Sequence, residues 1–250
     1  MSTPVLTRTV HAEWLRLRTV RATWWFLAAG VVAMLGIATI AGLEGRSSAD
    51  GPTGSAWVAT AFTTMPGQFA FYGLVLMAVT ADYSSGGIVP TLQWTPRRMV
   101  LFVARTLVPV VVATVTAVLL ALAATTLVWA LVPELVMSWS EAGDALGTVA
   151  LVVGAGSLLT VGLGFLFRST AGGLVTVFLL MLVLPLVLPQ FGFTWLTEIA
   201  QALPGYGAAY LLIGEDMGIS TTTAVTVLVG WSVGALVLGG ARLAVNDADG

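Results

Sequence analysis

The chain has 250 residues and a mass of 25.9 kDa; 58% of its residues are apolar and 9% charged, its formal net charge is −2 and its mean hydropathy is +0.97. Soluble domains run nearer ~45–50% apolar and ~25% charged, so the composition excludes a water-soluble globule, a basic nucleic-acid binder and a disordered chain, and points to an integral membrane protein. Cysteine is absent, which removes disulfides, thiolate metal sites and cysteine nucleophiles; His11 is the lone histidine, and all ten basic residues are arginine.

The first 23 residues read as an amphipathic interfacial helix. At ~100° per residue, Leu6, Val10, Trp14, Leu17 and Val20 share one face, while Arg8, His11, Arg16 and Arg18 fall elsewhere. Glu13 interrupts the edge of the apolar face, and Arg21 is placed to snorkel toward headgroups. Such a helix lies in the inner membrane interface with its arginines toward anionic lipid, and His11 is an exposed residue on it.

Six stretches then meet the ~20 apolar residues that a membrane-crossing helix needs. They cover roughly 24–43, 59–81, 101–132, 145–167, 171–190 and 223–242. The second is the least apolar and carries Thr63, Thr64, Pro66, Gln68 and Tyr72. The third is long enough to tilt or to project beyond the bilayer. Six spans put both termini on one side. If that side is the cytoplasm, nine of the ten arginines lie inside and only Arg46 lies outside, as the positive-inside rule requires. Glu44, Asp50, Glu134, Glu141, Asp144, Glu198, Glu215 and Asp216 then lie outside. The hydrophilic pieces are too short for a core of their own, so residues 1–250 form a single transmembrane domain.

The loop Asp82 to Arg98, DYSSGGIVPTLQWTPRR, joins the second and third spans. Asp82 and Ser84 or Ser85 can cap a helix, and Gly86 and Gly87 permit a tight turn. Ile88, Leu92 and Thr95 then share one face of a short helix ended by Pro96, with Pro90 tolerated in its first turn. Spacing alone leaves open whether this is a capped re-entry turn or a docking element. Arg168-Ser169-Thr170 makes a tight hairpin between the fourth and fifth spans. In the stretch 191–222, Trp195, Ile199 and Leu203 have helical spacing, Pro204-Gly205 breaks the run, and Ala208 to Ile213 is apolar again. Two short helices dipping into the outer leaflet, or a loop on the headgroups, both fit.

Within the spans, Gly154, Gly156, Gly162 and Gly164, and the pair Gly230 and Gly234, permit close helix approach, most simply inside one bundle. Every charge maps to a span end or loop, and Arg105, a turn inside the third span, can snorkel. Gln68 is the strongly polar side chain nearest a span centre, where it either lines a pathway or bonds a neighbouring helix. A chain without lysine cannot carry the nucleotide-binding G-x-x-x-x-G-K-[ST] loop, and one histidine cannot make an H-E-x-x-H zinc site.

Taken together, Glu13 to Trp25 (EWLRLRTVRATWW), the Asp82–Arg98 loop, the six-span layout and Ala202 to Gly207 (ALPGYG) resemble the membrane subunits of ABC-2 type transporters. The resemblance is greatest to actinobacterial multidrug and antibiotic exporter permeases and covers essentially the whole chain. It departs from the family at Asp82, where Glu is commoner, and at Gly87, where Thr is commoner, but keeps the carboxylate and the flexible turn.

The resemblance implies a multi-pass protein of a bacterial plasma membrane that forms a translocation pathway as a dimer with a second copy or a related permease. The Asp82–Arg98 loop would be the coupling helix, touching a separate cytoplasmic ATPase through Asp82, Tyr83, Ser84, Ser85, Gly86, Gly87, Ile88, Thr91 and Leu92. The helix from Leu6 to Val20, with Val10, Glu13, Trp14 and Leu17, would be the connecting helix. Gln68 and Tyr72 are the pathway candidates. No catalytic or metal-ligating residue and no bound cofactor is expected in this chain; ATP and Mg2+ would belong to the partner ATPase. The substrate would be an amphiphilic small molecule, lipid or peptide. A small ion-driven transporter or a channel is the alternative.

Overall fold

The structure is a computed structural model, and it describes residues 3–47, 54–84, 98–214 and 217–245. The described residues form nine helices: α1 (Thr3–Thr19), α2 (Arg21–Ser47), α3 (Val58–Ser84), α4 (Arg98–Leu131), α5 (Trp139–Phe167), α6 (Thr170–Phe191), α7 (Thr194–Gln201), α8 (Pro204–Ile213) and α9 (Thr221–Val245). No strand occurs among the described residues; Ser55 and Val136 form one isolated bridge. Six of the helices (α2 to α6 and α9) are long and apolar enough to cross a membrane, so the chain is a multi-pass, all-α membrane protein.

The two central helices are α3 and α5, most of whose length is buried, whereas α2 and α6 are largely exposed. Along α5 lies α9; α2 packs on α3 and α4, and α6 on α3 and α5. On α4, Ala104, Ala113, Ala117, Ala121 and Ala124 form a fully buried seam, their small side chains letting neighbouring helices come close. At 34 residues, α4 extends ~51 Å at ~1.5 Å per residue, longer than a hydrocarbon core of ~30 Å.

Two glycine expectations divide. Gly162 meets the backbone of Ala235, and Gly239 meets the Gly162 carbonyl, so α5 and α9 touch main chain to main chain. By contrast, a methyl group on Gly230 or Gly234 would meet nothing within 4 Å. The Gly230-x-x-x-Gly234 pair is therefore not a contact inside this bundle, because it lies on the outward face of α9.

Helix α5 begins at Trp139, six residues before the sequence boundary, after an extended Ser138 (φ −86°, ψ 119°). Its first turns hold Glu141 and Asp144, which lower the hydropathy there but favour the positive end of a helix dipole. Pro204 starts α8 instead of merely ending the preceding helix; a proline in a first turn forfeits no helical hydrogen bond. At one end of the bundle arginines cover helix C-termini: Arg98 Nη1 donates to the carbonyls of Leu243 and Ala244, and Arg242 Nη1 donates to that of Leu166. That end is arginine-rich. Glu44, Glu134, Glu141, Asp144 and Glu198 lie toward the other end, all exposed.

Candidate functional site

At the arginine-rich end, α1 lies against α4, with a smaller contact to α2, and reaches the end of α3 through Arg16. Its packed stripe contains Leu6, Val10, Glu13 and Leu17, with Glu13 and Leu17 buried. Trp14 and Val20, also on the predicted apolar face, are exposed. Glu13, expected to interrupt the edge of that face, is buried on the side packed against the bundle.

The reason is Arg105. This side chain is only 2% exposed and does not snorkel. Its Nε donates to Glu13 Oε1 at 3.0 Å, and its Nη2 donates to Asp82 Oδ2. Arg16 closes the group, with Nη1 on Asp82 Oδ2 at 2.9 Å and Nε 3.5 Å from Glu13 Oε2. Its Nη2 also donates to the Ala78 carbonyl. Two guanidiniums and two carboxylates sum to zero charge. A buried ion is tolerated only when paired and hydrogen-bonded, so each member holds the others in place. Burial, followed by the charge of Arg105, lowers the Arg16 pKa, while Glu13 and Asp82 act in the opposite direction.

Helix α3 runs on through Ser84, so Asp82, a cap candidate in the sequence, lies in its last turn with its carboxylate on Arg16 and Arg105; the helix it was expected to cap lies outside the described residues. A carboxylate near a helix C-terminus opposes the dipole; the two arginines offset that. Tyr83 lies beside it with the Arg168 guanidinium 5.6 Å from its ring centre, a cation–π distance. Of the remaining coupling residues, Ser84 ends α3, and Ser85, Gly86, Gly87, Ile88, Thr91 and Leu92 lie outside the described residues, as does the short helix expected around them.

The pathway candidates part company. Gln68 and Tyr72 are both buried, and the Tyr72 hydroxyl lies 2.8 Å from Gln68 Oε1 and 3.3 Å from the Val152 carbonyl. Gln68 Nε2 donates to the Met65 carbonyl, so its amide is engaged by its own helix and by Tyr72. The Tyr72 ring lines an apolar cavity of about 370 Å3 with Phe69, Leu174, Val177 and Phe178 between α3 and α6. Phe69 and Phe178 stand 5.1 Å apart there. A second cleft of about 390 Å3, at the carboxylate-rich end, is lined by Trp57, Phe62, Glu141, Asp144 and the last residues of α8.

Sequence reasoning placed Arg105 and Arg16 on the lipid interface and left Phe69 and Phe178 unremarked. A charge inside an apolar run is itself a signal of an internal partner. Here the partners lie 92 and 23 residues away, beyond any local pattern. Among the described residues no group of three or more His, Asp or Glu side chains could hold a metal ion. No family model matches the chain, and no curated protein matches it.

Proposed function

We propose that this chain is the membrane-spanning permease subunit of an ATP-driven ABC exporter, seated on a separate cytoplasmic ATPase and working as a pair of permease copies in a bacterial plasma membrane. One observation carries the reading: the ion cluster ties α1 to the last turn of α3, immediately before the 85–97 loop, and to the first turns of α4. A push on that loop would reach three helices at once. ATP and Mg2+ act in the partner, since a chain without lysine lacks the phosphate-binding lysine of a nucleotide loop. The arginine-rich end faces the cytoplasm under the positive-inside rule.

In this mechanism, closure of the two ATPase subunits presses the loops together. A ligand shifts a conformational equilibrium only through contacts that differ between states. The closed ATPase supplies such contacts at Asp82 and Tyr83, and the rigid cluster carries them into α1 and α4. An amphiphilic substrate enters the cavity beside Tyr72, Phe69 and Phe178, which offers aromatic and aliphatic walls and no charge. An ion-driven carrier is the weaker reading, because the carboxylates buried here are already neutralised by arginine.

The test is reconstitution of the chain in vesicles with a fluorescent amphiphilic dye. Accumulation is expected only with a soluble partner ATPase and with ATP. Dye movement driven by an ion gradient with this chain alone would overturn the proposal.

A further inference from the structure

The sixth helix changes its winding part-way along. It is α-helical through Phe178, π-helical over Leu179–Val183, α-helical again over Leu184–Val187 and 3-10 over Leu188–Phe191. In the π turn the Leu184 N–H reaches back five residues to the Leu179 carbonyl. The sequence explains the change. Pro185 has no N–H for the Met181 carbonyl four residues earlier, and Pro189 has none for that of Pro185. Met181 is buried, at a depth where water cannot replace the lost donor.

What lies against that carbonyl is Gly205, in the first turn of α8. A methyl group at Gly205 would overlap the carbonyl carbon and oxygen of Met181, so only glycine lets the two backbones meet. The approaching helix end is also the positive end of its dipole. On its other side, α8 is fastened to α9. Gly207 sits under the Ala224 carbonyl of α9, Tyr206 Oη donates to the Met217 carbonyl in the connection before α9 at 2.7 Å, and Trp231 Nε1 of α9 donates to the Ala202 carbonyl just before α8 at 2.8 Å. The last turn of α8, Leu211 to Ile213, walls the cleft that contains Glu141 and Asp144.

We infer that the π turn of α6 is a hinge and that the Gly205 seat is its follower. The outer part of α6 swings about Leu179–Val183 and carries α7, which follows it in the chain; the Met181–Gly205 contact seats the start of α8 on the turning segment, so that α8 shifts with it and opens or narrows the cleft beside Glu141. The π turn can take up such a swing because its ladder already lacks a donor at Met181; an unbroken α-helix would have to lose a bond to bend there. The inference stands apart from the exporter reading, since it concerns the motion of this chain alone.

The chain contains no cysteine, so spin labels can be placed singly. The test pair is Glu198→Cys on α7 with Leu119→Cys on α4; the control pair is Gly143→Cys on α5 with Leu119→Cys. All three positions are exposed. In lipid nanodiscs the test pair is expected to give a distance distribution at least twice as wide as the control pair. Pro185→Ala, which restores the N–H for Met181, is expected to narrow it to the control width, and Gly205→Ala to shift its mean. A test pair as narrow as the control, or a width that Pro185→Ala leaves unchanged, would overturn the hinge. Should Gly205→Ala fail to fold, the Pro185→Ala result decides.

Discussion

The two ends of the bundle solve the problem of charge in opposite ways. At the arginine-rich end, Glu13, Arg16, Asp82 and Arg105 are drawn between helices and pair with one another. At the carboxylate-rich end, Glu44, Glu134, Glu141, Asp144 and Glu198 stay exposed. Closure there relies on other contacts. Ala56 N–H donates to the Val136 carbonyl, Trp57 Nε1 donates to that of Ser138, and Trp57 meets Trp139 edge-on at 6.2 Å. The difference teaches that location, not residue type, decides what a charge contributes. An ion between helices must be paired and thereby fixes geometry; one at the rim is solvated and fixes little.

The comparison can be broken most severely at Arg105. Arg105→Gln leaves buried Glu13 and half-buried Asp82 with Arg16 as their one shared cation and is expected to lower stability by about 3–5 kcal/mol in reversible unfolding from mixed micelles. Glu13→Gln in the same assay should recover part of that loss when combined with Arg105→Gln, as a double-mutant cycle would show. Next comes Gly162→Ala, whose methyl group meets the α9 backbone; a loss of about 1–3 kcal/mol is expected, against no measurable change for Gly230→Ala or Gly234→Ala. Tyr72→Phe removes the hydroxyl shared by Gln68 and Val152 and should cost about 1 kcal/mol. The smallest effect falls on the exposed end. Glu141→Gln, which alters the exposed Ser55 contact and one charge in the first turn of α5, should stay within about 0.5 kcal/mol, sharpening the contrast with Glu13→Gln.

The six long helices were legible because apolar length is a local property that a window of residues carries by itself. Their ends were less so. The first turns of α5 hold Glu141 and Asp144, so hydropathy discounts a segment that helix electrostatics favours. The partition of the glycines was hidden for a different reason. Spacing puts Gly230 and Gly234 on one face but does not say which face meets α5, and it is Gly162 and Gly239 that do. Arg105 was misread because snorkelling assumes a free path to the interface, and α1 blocks that path with a carboxylate of its own. Gln68 was ambiguous in sequence because lining a pathway and bonding a neighbouring helix use the same polar group; its amide is instead engaged within α3, by the Met65 carbonyl and by the hydroxyl of Tyr72 one turn away.

The span of chain between Glu13 and Arg105 bears on how the protein is made. Ninety-two residues separate the two, so the N-terminal helix emerges from the ribosome roughly 5–18 s before its buried partner, at ~5–20 residues per second. During that interval Glu13 has Arg16, one turn along the same helix, as a holding partner. The nascent helix can therefore rest at the bilayer surface with that carboxylate already paired, and add the Arg105 bond to it when α4 inserts. Assembly would then close in reverse order, with α1 made before α4 and docked only after it.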